Sequence, residues 1–184
     1  RIKGSLKKAK INILNQVKLK NLNFDFDIIK NIYLLKHIDT KFNSIRVTSP
    51  LIEIKENKDL FFVKGKILND KKDFDISELK KIFFNLFKNI NIKKIEFSSE
   101  NDFSFNINNK LKIKDIKVQT SINLNKLIIN EKNFKLKSYL PQFIEEVKLE
   151  DHKILINFNK SKINIKGSGN FLIEDKLDNL TYEI

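Results

Sequence analysis

The side chains best suited to chemistry in this chain are two histidines, His37 and His152, and two acidic pairs, Glu145-Glu146 and Glu150-Asp151. A transition metal needs several nitrogen, sulfur or carboxylate donors at fixed spacing, and neither histidine has a His-x-x-x-His pattern beside it. General acid–base work needs groups whose pKa is moved by a cleft; adjacent carboxylates at the end of an element read more simply as solvated charge. Gly167-Ser-Gly169 is the one glycine pair. It lies between two alternating stretches, which predicts a turn or bulge rather than a phosphate cradle. Neither a Gly-x-Ser-x-Gly elbow nor a Gly-x-x-x-x-Gly-Lys loop occurs. Asn179-Leu-Thr181 matches a glycosylation acceptor at a level that chance supplies. The expectation is a chain with no catalytic residues, no metal and no cofactor.

The 184 residues carry a net charge of +13, which suits an anionic partner such as nucleic acid, anionic lipid or lipopolysaccharide. Arginine, the preferred residue for bidentate phosphate contacts, occurs only at Arg1 and Arg46. The rest of the positive charge is lysine, in a chain crowded with Lys, Asn, Ile and Phe, a set that AT-rich codons encode. Specific nucleic-acid binding is therefore not expected. Lysines on the wet faces of strands also suppress edge-to-edge aggregation. Zero cysteines exclude disulfides, thiolate metal sites and cysteine nucleophiles, and fit either the cytoplasm or an envelope compartment. No apolar run approaches the ~20 residues that span a bilayer. The chain opens on Arg1 and has no methionine, and it reads as part of a longer protein.

What must position these groups is a succession of strands. Asn101–Ile107 sets Phe103, Phe105 and Ile107 on one side and polar residues on the other; His152–Phe158 and Lys162–Lys166 alternate likewise. Period-two alternation marks a strand with one dry and one wet face. Residues 9–28 read as two or three strands. Residues 29–38 fit a helical turn or a strand. Ser44–Val47 and Leu51–Ile54 read as strands parted at Ser49-Pro50, and Leu60–Leu68 as another, with Gly65 at a bulge. Later strands are expected at 93–98, 101–108, 110–119, 121–129, 133–137, 152–158, 161–166, 169–174 and 179–184, with phase slips between Ile113 and Ile116 and near Leu127. Glycine is scarce, so Asn and Asp are expected at left-handed turn positions. A single alanine, Ala9, argues against a helical architecture.

One helix is predicted, over Asp75–Ile90, where Leu79, Ile82, Phe83, Leu86, Phe87 and Ile90 form a stripe. Asp75 and Glu78 suit a capping box, and Phe74 and Leu79 a hydrophobic staple. A shorter helical reading is open at Ser138–Val147, with Pro141 in its first turn. A 75–90 helix is about 24 Å long, and at about 4.8 Å per strand it would cover at most ~5 of roughly a dozen strands. The remaining dry face must meet a second sheet, close on itself, or hold something apolar; a β-sandwich is the plain alternative.

Several segments, in order, carry a resemblance. Leu79–Phe87, Ile92–Ser98, Asn101–Ile107 and Ile113–Val118 form one block; Leu140-Pro141, Lys153–Phe158, Ile165–Phe171 and Asp178–Ile184 form another. The arrangement, over about 75–184, resembles AsmA-like proteins of Gram-negative envelopes, particularly the YhdP/DUF3971-type members. The resemblance implies a mainly β fold, a curled antiparallel sheet forming an open β-groove. It implies one internal stretch of a periplasmic lipid conduit, attached to the inner membrane through parts outside these residues, with phospholipid as the partner. It further implies that Phe103, Phe105, Ile107, Leu111, Ile113, Ile122, Leu124, Ile154, Ile156, Phe158, Ile163 and Ile165, each in the apolar phase of its strand, line the groove. The alternatives from other classes are a structural or protein-binding β-sandwich module and a lysine-rich nucleic-acid binder using exposed aromatics such as Phe134 and Phe171.

Overall fold

In the computed structural model, residues 1–13, 17–42, 45–70, 74–82, 91–130, 146–173 and 176–184 are described. They form one antiparallel sheet in which ten strands lie in chain order: β1 (Ile2–Ile13), β2 (Val17–Ile29), β3 (Ile32–Phe42), β4 (Ile45–Asn57), β5 (Leu60–Asn69), β6 (Asn91–Asn108), β7 (Ile113–Asn130), β8 (Glu146–Asn159), β9 (Lys162–Ile173) and β10 (Lys176–Glu183). The sheet does not close into a barrel. A sandwich would need a second sheet, and the described residues form a single one.

The four-turn helix expected over 75–90 is not seen. Among the described residues one helix occurs, α1, seven residues long, Ile76–Ile82. Residues 83–90, with most of the predicted stripe, lie outside the described set, as do 131–145, which hold most of the expected short helix and the 133–137 strand. Asp75 does cap α1: its Oδ1 accepts from the Ser77 N–H at 2.8 Å. Phe74 and Leu79 are both buried, and Phe74 stacks on Phe97 with ring centroids 4.3 Å apart. No helix among the described residues is long and apolar enough to cross a membrane.

The chain divides into two compact units. The first comprises 1–70, 99–121 and 156–164; the second comprises 71–98, 122–155 and 165–184. Among its described residues the first unit is strands and turns only, and α1 belongs to the second.

Several expected breaks are absent. β4 runs straight through Ser49-Pro50, β6 joins the stretches expected at 93–98 and 101–108, β7 joins 110–119 to 121–129, and β9 joins 161–166 to 169–174. Proline is tolerated in β4 because the ladder is already interrupted there. Pro50 has no partner on either side: pairing passes from Lys36↔Leu51 to Ile38↔Ser49 with β3, and from Thr48↔Leu68 to Ile52↔Gly65 with β5.

That gap belongs to a line of bulges. Between β1 and β2, three residues of β1 (Leu6 to Ala9) span two of β2, so Lys8 is extra. Between β2 and β3, three residues of β3 (Lys36 to Asp39) span two of β2, and farther on three of β2 (Lys20 to Asn23) span two of β3, making His37 and Asn21 the extra residues. Between β4 and β5, four residues of β4 (Thr48 to Ile52) span three of β5. Lys8, Asn21 and His37 all have positive φ, 56°, 53° and 52°. An extra residue reverses which face later side chains take. The apolar residues reverse with it: Gly4 and Leu6 give way to Ala9 and Ile11, Leu19 to Leu22 and Phe24, Leu35 to Ile38, and Val47 and Ser49 to Ile52 and Ile54. Over β1–β5 the change of phase keeps these apolar residues on one face. Asn23 secures the line, accepting from the Lys8 N–H at 2.9 Å and donating to the Asn21 carbonyl at 2.8 Å.

The slip expected between Ile113 and Ile116 coincides with Asp115, φ 54°. No positive φ lies near Leu127 among the described residues. Asn and Asp fill left-handed positions at Asn21, Asp115 and Asp151, but at three hairpin corners those positions fall to Lys30, Lys58, Lys160 and Ser161. None of the four glycines lies in a turn, and Gly65, the partner of Ile52, sits at the end of the β4–β5 bulge, as expected. A Cβ would lie 2.5 Å from the Phe26 ring at Gly4, 3.0 Å from the Phe103 ring at Gly65, and 2.4 Å from Tyr182 at Gly167 and from His152 at Gly169. Each glycine gives a ring on a neighbouring strand room to lie across it.

Candidate functional site

Cross-strand partners in the first unit stack into rows. One runs Gly4, Phe26, Leu35, Ile52, Gly65, Phe103; the next runs Ile2, Ile28, Tyr33, Ile54, Val63, Phe105. Partners in register share a face, so these rows merge into one apolar surface across β1–β6. Over β1–β5 that surface hollows into a cavity of about 430 Å³. β1 and β2 supply Ile11, Leu19, Leu22 and Phe24 to its lining, β3 supplies Leu35, Ile38, Thr40 and Phe42, β4 supplies Val47, Thr48, Ser49 and Ile52, and β5 supplies Ile67. No charged side chain takes part. Three polar residues do: Thr40, Thr48 and Ser49. Thr40 donates to the Lys20 carbonyl at 3.2 Å. Ser49 is 4% exposed and its Oγ has no hydrogen-bond partner.

The opposite phase carries the charge, and carboxylates there are flanked by donors. Asp25 accepts from Ser5 at 2.7 Å and lies 3.0 Å from His37 Nδ1; the His37 hydrogen bond first, then that from Ser5, holds its pKa below the usual carboxylate value. Arg46 grips Asp39 through Nε and Nη2 at 3.0 and 2.8 Å and lowers it likewise. Glu53, also lowered, chiefly by its hydrogen bond from Lys55, lies between Lys55 and Lys64. Lys66 reaches both Glu100 and Asp102.

The twelve residues expected to line the groove do not gather at this cavity. Phe103, Phe105 and Ile107 share its face through their partners Gly65, Val63 and Phe61, and the Phe103 and Phe105 rings stack at 5.8 Å. Leu111 is not on a strand: it lies in the turn after β6, 82% exposed, with φ 55°. Ile113 and Ile163 are strand residues but largely exposed. Ile156 and Phe158 also lie in the first unit. Ile122, Leu124, Ile154 and Ile165 lie in the second, where Leu124 is buried. A second cavity, about 490 Å³, brings Phe103 and Phe158 together, but Ser104, Asn157 and Asn159 line it as well. Residues of both phases meet there, so it is not a one-faced trough.

Sequence reasoning missed the β1–β5 cavity. The apolar phases of 11–13, 17–19 and 24–28 were legible, yet the bulges that merge them fall at Lys8, Asn21 and His37; asparagine and histidine are enriched at positive φ, but lysine gives no such signal. Of the chemistry-bearing residues, His37 meets Asp25, and buried His152 places Nε2 2.9 Å from the Asn170 carbonyl. Glu146 pairs with Lys93, and Glu150 with Lys126 at 3.0 Å. Asp151 occupies a left-handed position in β8.

The first unit thus defines a class: an open antiparallel sheet with one apolar, hollowed face and one ionic face. No family model, curated protein or solved structure matches this chain.

Proposed function

We propose that this chain is a non-catalytic stretch of an apolar β-groove that carries phospholipid acyl chains, an internal segment of a periplasmic conduit of the AsmA-like kind. In this reading the chain is attached to the inner membrane by parts of the protein outside these residues. The observation that carries the reading is the continuous apolar face of β1–β6 with its uncharged cavity. An apolar face of this extent, with no helix among the described residues of its own unit, marks a site of association. A flexible acyl chain suits it because burial of methylenes is non-directional and contributes about 0.8 kcal/mol per CH₂. The ionic opposite face stays in water and keeps the sheet soluble.

The test is photo-crosslinking on phospholipid vesicles. Crosslinkers at Leu35, Ile52 and Phe103, on the apolar face, should capture phospholipid; crosslinkers at Lys36 and Lys64, in the opposite phase, should not. Equal capture at both sets, or none at either, would sink the proposal. Ser104 and Asn157 are unsuitable controls, because both line the second cavity beside Phe103 and Phe158.

A further inference from the structure

We propose that the edge of the first unit formed by its hairpin corners docks on the surface of an anionic phospholipid bilayer. This goes beyond the groove reading and does not depend on it. In an antiparallel sheet whose strands lie in chain order, alternate corners fall on one edge. The corners at 30–31, 58–59, 109–112 and 160–161 share such an edge, and all belong to the first unit. They carry Lys30, Lys58, Lys110, Lys112 and Lys160, with Lys162 directly following, and Asp59 as their one carboxylate. The strand lysines Lys36, Lys55, Lys64 and Lys66 meet carboxylates; among the described residues none of the six corner lysines does. In the same unit the residues joining β1 to β2, 14–16, and β3 to β4, 43–44, include no lysine.

Leu111 is the apolar tip of this edge. It is 82% exposed, more than any other large hydrophobic side chain among the described residues. Its left-handed backbone, φ 55°, is one that leucine rarely adopts. The turn is nonetheless firmly made. Asn108 Oδ1 accepts from the Lys110 and Lys112 N–H groups at 3.0 and 2.9 Å, and the Asn108 N–H donates to the Lys112 carbonyl at 3.1 Å. Asn109 ties the turn to the next corner by donating to Asp59 Oδ1 at 2.9 Å. Leu111 is thus held outward between two lysines, and Leu60, Ile113 and Ile163, also exposed, stand at the same edge. In water a leucine so placed adds nothing to the fold. At a bilayer surface it enters the acyl boundary, while Lys110 and Lys112 lay their aliphatic stems beside it and set their ammonium groups among the phosphates. A nucleic acid would use the lysines and leave the leucines wet, and its better contacts, arginine and stacking aromatics, are absent from the four corners.

The experiment is flotation of the chain with phosphatidylcholine vesicles, with and without phosphatidylglycerol. The chain should float with the anionic vesicles, far less with the neutral ones, and less as salt is raised. Lys110→Gln combined with Lys112→Gln should weaken binding about 25-fold, at about 5-fold per lysine. Leu111→Asn places a residue that tolerates the left-handed turn; it should weaken binding about 10-fold with the circular dichroism spectrum unchanged. Lys20→Gln combined with Lys41→Gln removes the same charge from the far ends of β2 and β3 and should leave binding nearly unchanged. Equal loss from the two double variants would show attraction by net charge alone and overturn the docking edge, as would equal binding to neutral vesicles or no binding to either kind. Binding that needs the corner lysines but not Leu111 would overturn the bilayer assignment, and equally tight binding to duplex DNA would give the edge to nucleic acid instead. The groove reading is judged separately, by crosslinking on the apolar face.

Discussion

Deleting His37 tests whether the line of bulges is what keeps one face of the sheet apolar. His37 is the extra residue of β3, at φ 52°. Without it, Ile38, Thr40 and Phe42 exchange faces with Asp39 and Lys41. Ile38, now 9% exposed, would lose most of its burial, worth about 1.5–3 kcal/mol. The half-buried Phe42 adds about 1 kcal/mol, and the Thr40 hydrogen bond to Lys20 about another 1 kcal/mol. The expected loss is about 4 kcal/mol, an upper figure because the unfolded chain already hides some of that surface. Against a total stability of about 5–15 kcal/mol such a loss is plain in urea unfolding followed by circular dichroism. His37→Asn is the control: asparagine tolerates the left-handed conformation, so the phase is kept and the urea midpoint should stay close to wild type. If the deletion unfolds at the same urea concentration as the control and still displays the cavity to an apolar dye, the phase reasoning is wrong.

Other consequences can be measured alongside. Asn23→Ala removes the partner of the Lys8 N–H and the Asn21 carbonyl and should lower stability by about 1 kcal/mol, water replacing part of the loss. Gly169→Ala would set a Cβ 2.5 Å from the His152 Cα, so two backbones must part; thermal unfolding should show a loss of about 2–3 kcal/mol. Gly4→Ala, which meets only the movable tip of Phe26, should lose less. Lys160-Ser161→Asn-Gly, at a corner where both residues have positive φ, should gain about 1 kcal/mol by the same assay. Stability should fall in acid. Asp25, Asp39 and Glu53 have folded pKa values below their unfolded ones, so their contribution is complete above the unfolded value of about 4 and is lost as pH drops through the folded values. A urea midpoint unchanged between pH 6 and pH 3 would contradict those ion pairs.

That this is a sheet protein could be read directly from its residues. Alternation in Asn101–Ile107 and His152–Phe158, scarce alanine and the strand over Leu60–Leu68 each follow from local pattern, and local pattern suffices because a strand's two faces are written two residues apart. The Asp75 cap and the slip at Asp115 were legible for the same local reason. Register was not. Whether the phase of Leu19 joins that of Phe24 and Phe26 depends on one extra residue at Asn21 and on its counterparts at Lys8 and His37; asparagine and histidine tolerate the left-handed backbone, but which of the chain's many Asn, His and Lys becomes the extra residue is fixed by pairing with neighbouring strands. Proline at 50 looked like a break until β4 ran through it at a position that pairs with neither neighbouring strand. Glycines 167 and 169 looked like a turn until the rings of Tyr182 and His152 lay across them. The cavity and the unpaired Ser49 hydroxyl belong to that same level. They exist only where five strands meet in register, and no window along the chain contains them.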